Sequence, residues 1–387
     1  MYLLRRLRKI QKNTYFVIMV KRICHFTSVH SATDGRIFEK ECCSLAKAGY
    51  EVYFVAPNAK TEIKNGVHIV GVPISNRGRL YRMLCGAKII YKEALSLNAD
   101  VYHFHDPELL RFALKLKSQG KKVIFDSHEF YGYQIKEKEY LPRFFRYIVG
   151  TVYMWFETFV CKRIDAVIQV CTVCGQNYFE GRSKKNIFIA NVPHMNILSF
   201  YKETKNIDVK KTVVYIGGLT YNRGISFLIE AVDKSIANLI LAGKISNQYK
   251  TQIRALEGFK KVDYKGCISS ERVYALLNSS SIGVSTLLKI GQYGKLDTLP
   301  TKIYEYMAMG LPVIMSNTDY NIKMNATEQF GICVNPCDVN EIAKAINYLL
   351  ENSNLAEELG RNGRRLIENK YNWEIEEQKL LNLYTSL

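Results

Sequence analysis

At 387 residues the chain is too long for one ordinary core, so two domains of about 200 residues or fewer are expected. Its hydrophobic share of 48% and charged share of 23% are those of a soluble globular protein, and a net charge of +18 favours a polyanionic partner: nucleic acid, an anionic membrane face or a phosphate-bearing substrate. Ten cysteines without a paired framework speak against a disulfide-stapled secreted scaffold and for a reducing, cytoplasmic compartment.

The first 30 residues hold Arg5, Arg6, Arg8, Lys9, Lys12, Lys21 and Arg22 with no acid before Asp34. "MYLLRRLRKI" reads either as a short basic amphipathic helix for the inner face of a membrane or as a solvated terminus. It makes a poor secretory signal, because "FVIMV" is short and no small-residue cleavage site follows.

From residue 22 strands and helices alternate. "RICHFTS" reads as a strand, residues 35–49 as a helix stopped by Gly49, and "EVYFVAP" as a strand. "ADVYHFHD", the Pro107-to-Gly120 helix and "KKVIFDSHE" repeat the pattern, and "DAVIQVC" and "NIFIANVP" continue it. This alternation predicts a doubly wound parallel sheet. The apolar run 147–161 is too short to cross a bilayer, since Arg146 and Glu157 bracket it closely. It is expected to be a buried helix, with an aromatic helix at a membrane surface as the alternative. Cys171 and Cys174 form a lone C-x-x-C without a second pair, so no metal is expected there.

The expected division is a first domain over 1–195, a linker over 196–210, a second α/β domain over 211–365 and a final helix over 366–387. Open parallel sheets bind ligands beyond the carboxyl ends of their strands. The loops at those ends are therefore the candidates: Asp34, Gly35 and Arg36; His103, His105, Asp106 and Glu108; Asp126, His128 and Glu129. In "GGLTYNRGI", Gly217 and Gly218 permit close backbone approach, and Arg223 stands at a helix start suited to a phosphate. In "KLDTLPTKIYEYMAMGLPVIMSN", Pro300 opens a helix whose free N–H groups near Thr301 and Lys302 suit an anion. Glu305, one turn on, is acceptor-only when ionised and suits the two hydroxyls of a ribose.

Together these stretches resemble the GT-B glycosyltransferases of family 4, which are retaining and metal-independent. The likeness rests on Asp297-"TLPTKIY"-Glu305-"YMAMGLPVI", with "DGRIFEKECCSLAKAGYEVYFVAP", "ADVYHFHDPELL", "KKVIFDSHE" and "YIGGLTYNRGI". It implies two Rossmann-like domains facing across a cleft and no cofactor besides the nucleotide-sugar substrate. It also implies roles: Glu305 on the ribose, Arg223, Lys302 and the Thr301 amide on the pyrophosphate, Asp297 near the donor sugar, and His105 on the transferred sugar. The loop with Gly35 would close over the donor, and Asp34, Arg36, Asp106, Glu108, His128 and Glu129 would lie on the acceptor side. The chain departs from the family in carrying Asp for the usual first motif Glu, and Gly218 where many members have a phosphate-binding arginine. Lys302 or Lys244 would compensate.

The implied acceptor is a glycan or polyprenyl-diphosphate-linked glycan in surface polysaccharide assembly. Competing readings are a sugar-nucleotide 2-epimerase of the same fold, a catalytically silent sugar-nucleotide binder, and a nucleic-acid-binding protein. The last lacks any nucleic-acid-binding module in this sequence.

Overall fold

The structure, a computed structural model, describes residues 21–137, 142–201 and 211–387. The basic start of the chain and most of the expected linker lie outside these residues.

Two α/β sheets form the described part. The first contains β1 (Arg22–Phe26), β2 (Glu51–Pro57), β3 (Glu62–Lys64), β4 (Val67–Val72), β5 (Val101–Phe104), β6 (Lys122–Ser127), β7 (Ala166–Gln169) and β8 (Asn186–Phe188). Their order is β3-β4-β2-β1-β5-β6-β7-β8, parallel except for the β3–β4 pair. The second contains β9 (Thr212–Ile216), β10 (Asn238–Ala242), β11 (Val262–Gly266), β12 (Ile282–Ser285), β13 (Val313–Ser316) and β14 (Gly331–Val334), in the order β11-β10-β9-β12-β13-β14. In each sheet the chain winds one way from a central strand and then returns to wind the other way. The reversals lie between β1 and β5 and between β9 and β12, where crossovers leave a crevice beyond the strand ends.

Continuous apolar runs explain the central strands. Every residue of β5, β7, β9, β12 and β13 is buried, as expected where helices cover both faces of a parallel sheet.

Five helices bear on function: α1 (Tyr131–Glu137), α2 (Arg143–Cys161), α3 (Thr301–Ala308), α4 (Ser353–Asn369) and α5 (Trp373–Thr385). The last returns to the first domain. Trp373, Leu380, Leu383 and Tyr384 are buried among Ile23, Phe38, Leu45 and Phe54, and the Trp373 indole N–H donates to Ser44 Oγ at 2.9 Å. The backbone N–H of Trp373 donates to the Pro193 carbonyl at 2.7 Å, so the outgoing and returning segments between domains run side by side.

Helix α2 differs from its expected burial. Gly150, Glu157, Val160 and Cys161 face inward, but Phe144 is 72% and Trp155 69% exposed. Its apolar residues exceed what one packed face absorbs, a distinction that hydropathy alone does not make. Among the described residues no helix is long and apolar enough to cross a membrane.

Candidate active site

The second domain builds a cavity of about 390 Å³ at its switch point, lined by Gly217, Gly218, Arg223, Gly243, Tyr274, Thr301, Lys302 and Glu305. Pro300 is the N-cap of α3 rather than its first helical residue, and α3 starts at Thr301 with its side chain exposed. Gly217 has φ +111°, and a Cβ there would stand 3.2 Å from Lys302 Nζ. Only a glycine lets the strand-to-helix turn pass this close to the ammonium.

Lys302 is the unusual member. Its side chain is buried, its Nζ lies 3.7 Å from the Tyr215 ring centroid, and it has no hydrogen-bond partner among the described residues. Burial, reinforced by the Arg223 guanidinium, drives its pKa well below the ordinary lysine value. Sequence suggested a mobile charge; the structure fixes it under the cavity floor. Burial raises the Glu305 carboxyl to about 6 against the opposing pull of Lys40 and Lys302. Lys40 comes from the first domain, donates to Asn191 Oδ1 at 2.7 Å, and is lowered by burial to about 8. Two cations, helix-terminal N–H groups and an adjacent carboxylate thus meet at one cavity, a set suited to a diphosphate next to a diol.

Across from it, the first domain has a cavity of about 460 Å³ lined by His30, Arg79, Arg82, His105, Asp106, Glu108, His128, Glu129 and Tyr131. Here the predicted His105, Asp106, Glu108, His128 and Glu129 do come together. Asp106 Oδ2 accepts from the Thr27 hydroxyl at 2.7 Å and the Ser28 amide at 2.6 Å, pinning the loop after β1. Glu108 accepts from Ser28 Oγ at 2.9 Å. His105 Nε2 stands 3.1 Å from His25 Nδ1, and its Nδ1 3.2 Å from His128 Nε2. Burial lowers His105 to about 4, so it is neutral near pH 7. Glu129 accepts from Gln134.

Several predicted residues have other tasks. Arg36 is buried, forks onto Asp126 at 2.9 and 3.0 Å, and donates to the Ile189 carbonyl at 3.0 Å, with Glu41 at 3.2 Å. It is therefore a structural ion-pair member and not an acceptor-side ligand. Asp34 accepts the amides of Arg36 and Ile37, both at 2.9 Å, and faces His30 Nδ1 at 3.0 Å. These bonds hold its carboxyl well below the usual range, and it starts the helix at Ile37–Cys42 instead of lining either cavity. Gly35 is exposed between them and lines neither cavity.

Asp297 is also displaced from its expected place. Its Oδ2 accepts from the Thr172 hydroxyl at 2.5 Å and the Gly175 amide at 2.6 Å. The carboxylate clamps the two domains and lines a separate hollow with Tyr320 and Tyr371. Lys244 does not line the donor-type cavity.

Sequence reading missed Lys40, Tyr215 and Gly243. Gly243 carried the same signal as Gly217, a glycine directly after a strand. Nothing local marks Lys40, whose importance arises only when the domains meet. His25, Glu41, His103 and His105 also gather, as do His105, Asp126 and His128, with potential metal-ligand atoms within 4.8 Å of one another. Much of this polarity is internally matched, since the Tyr384 hydroxyl meets His103 Nδ1 at 2.8 Å and His25 Nε2 at 3.1 Å.

Two family models match the two domains in turn: "Glycosyltransferase Family 4" over residues 38–187 and "Glycosyl transferases group 1" over 199–366. The chain belongs to the GT-B glycosyltransferases of the family 4 type. It is similar to "Uncharacterized glycosyltransferase MJ1607" of Methanocaldococcus jannaschii, 24% identical over 51% of this chain and 50% of that protein. It is also similar to "Capsular polysaccharide biosynthesis glycosyltransferase CapM" of Staphylococcus aureus, 32% identical over 21% of this chain and 22% of the other. The chain thus spans half or less of the curated relatives it matches. Among solved structures, Anabaena Alr3699/HepE in complex with UDP superposes with a TM-score of 0.70 over 95% of this chain and all of that one, at 13% identity. The likeness to this structure is one of fold, which agrees with the two parallel-sheet domains.

Proposed function

We propose that this chain transfers a sugar from a nucleoside-diphosphate sugar to the hydroxyl of a glycan or polyprenyl-diphosphate-linked acceptor, with retention at the anomeric carbon. One observation carries the donor half. Lys302 is a buried ammonium with no partner among the described residues, held at the tip of α3 beside Arg223 and one turn before Glu305. A buried unpaired cation is costly unless an anion completes it. The departing diphosphate is that anion, and stabilising charge as it develops is usually the largest catalytic contribution in such transfers.

In this reading Arg223 and Lys302 hold the diphosphate without a metal, Glu305 holds the ribose, and neutral His105 hydrogen-bonds the sugar from the opposite domain. Acceptor contacts come from the cavity with Glu108, His128 and Glu129. The bound nucleotide in Alr3699/HepE makes UDP the first donor nucleotide to test, and the name of CapM supports surface polysaccharide as the product class.

Calorimetric titration with UDP tests the reading. Submillimolar binding that Lys302→Ala and Arg223→Ala each weaken is expected. Failure of a broad panel of nucleoside diphosphates to bind the wild type overturns it.

A further inference from the structure

Helix α2 carries an apolar face that no described part of the fold covers. Its inner side is anchored: Glu157 is buried and accepts from the Tyr178 hydroxyl at 2.9 Å and Arg182 at 2.7 Å. Gly150 fits against the Gly132 carbonyl of α1, where a Cβ would come within 3.2 Å. The outer side presents Phe144, Phe145, Ile148, Val152, Trp155 and Phe159, spaced to form one stripe along the helix. With aromatic side chains of about 150–250 Å² each, the stripe exposes on the order of 500–800 Å², at or above the roughly 300–600 Å² of the largest patch on an ordinary monomer.

Two cations stand at its border. Lys136 Nζ lies 4.8 Å from the Tyr147 ring and the Arg163 guanidinium 3.7 Å from the Phe159 ring. The only carboxylate of α2 is the inward Glu157. Leu80 and Leu84, which flank Arg79 and Arg82 in the chain, are 70% and 54% exposed. The patch also leads to the acceptor-side cavity. Tyr153 of α2 packs on Tyr131 at 5.3 Å, Arg79 donates to the Tyr131 hydroxyl at 2.8 Å, and Tyr131 and Arg79 line that cavity beside Arg82.

We propose that α2 docks this protein on an anionic lipid bilayer. The helix lies in the membrane plane with its aromatic stripe among the outermost acyl chains and its basic border among the headgroups. A stripe of Trp, Phe and aliphatic side chains edged by Lys and Arg matches the bilayer interface, and a chain of net charge +18 is drawn to anionic lipid. Docked so, the cavity mouth at Arg79 and Arg82 sits at headgroup depth, where an acceptor diphosphate on a lipid carrier is presented. That last step rests on the transferase reading; the docking does not.

The two tryptophans make the test direct. Trp373 is fully buried and Trp155 is 69% exposed, so a change in emission on adding lipid reports Trp155. The full chain is mixed with vesicles of phosphatidylcholine alone and with vesicles containing about a third phosphatidylglycerol. A blue shift with the anionic vesicles, quenched by brominated acyl chains, is expected. Co-sedimentation of Phe144→Ser/Val152→Ser/Trp155→Ser is expected to fall at least about tenfold from the wild type, as apolar contact with lipid is lost. Unmoved wild-type emission overturns the proposal whether or not the triple variant folds. So does equal sedimentation of the triple variant, or light scattering that finds the stripe buried in a dimer in lipid-free buffer. The thermal shift produced by UDP, read on the same samples, decides the transferase reading separately and is expected to be equal in both proteins.

Discussion

The ammonium of Lys302 sits 3.7 Å from the centre of the Tyr215 ring, buried and without a hydrogen-bond partner among the described residues. The ring's negative face offsets part of the missing solvation, but a charged group held this way is still destabilising.

Removing that charge is therefore expected to separate stability from binding. Lys302→Met should raise the apo melting temperature by a few degrees, as expected when about 1 kcal/mol of desolvation cost disappears. The same variant should lose about 10- to 100-fold in UDP affinity, the worth of a charge-assisted contact of about 1.5–3 kcal/mol. Calorimetry on the apo protein and titration with UDP measure the two. A lower melting temperature would mean that Lys302 is a structural pair member.

Protonation should follow the ligand. Burial holds the Lys302 pKa down in the empty site, so binding a diphosphate is expected to raise it, with proton uptake wherever the pH lies between the two values. Affinity then declines as pH rises above the depressed value. Titration in buffers of different ionisation enthalpy reads the proton uptake, which Lys302→Met should abolish.

Glu305 gives a stability signature of opposite origin. Its folded pKa of about 6 lies above the ordinary 4.5, so the folded state holds the extra proton between those values. Its stabilising contribution is full below pH 4.5 and is lost as pH rises through 6, by about 2 kcal/mol at the upper limit for a side chain partly open to solvent. Glu305→Gln should flatten that part of the stability profile in urea melts, with UDP absent.

Breaking the buried Arg36–Asp126 fork is expected to cost about 3–5 kcal/mol, because it strands Asp126 and removes a cation from beside Glu41. Arg36→Ala should shift the urea midpoint strongly. Asp297→Ala should be milder, about 1–3 kcal/mol, and leave UDP affinity within about twofold, because its carboxylate joins Thr172 and Gly175 outside the donor-type cavity.

Local signals made the fold legible. Alternating strands and helices, with Pro107 and Gly120 bounding one helix, specify doubly wound sheets before any contact is known. The anion seat was legible for the same reason: Thr301, Lys302 and Glu305 share one short helix, and helical spacing alone brings them to one end. What sequence did not give depended on distant parts meeting. Asp297 lies four residues before α3, yet its oxygen is taken by the loop at Thr172–Gly175. Arg36 follows a strand as a binding residue would, but Asp126 from another strand captures it. Lys40 reaches the site only through domain apposition. Composition placed α2 as a helix and did not say which of its apolar faces the core leaves open.

The hydrogen bond from Trp373 to the Pro193 carbonyl has a mechanical meaning. Both covalent passages between the halves run through one spot, so they act as a single pivot. Swinging the halves apart bends that pivot, whereas sliding one past the other would tear α5 from its seat on β1 and β2. Any gape that admits or frees a nucleotide should therefore be a rotation about Pro193 and Trp373, and Glu305 and Lys40 would part along an arc centred there.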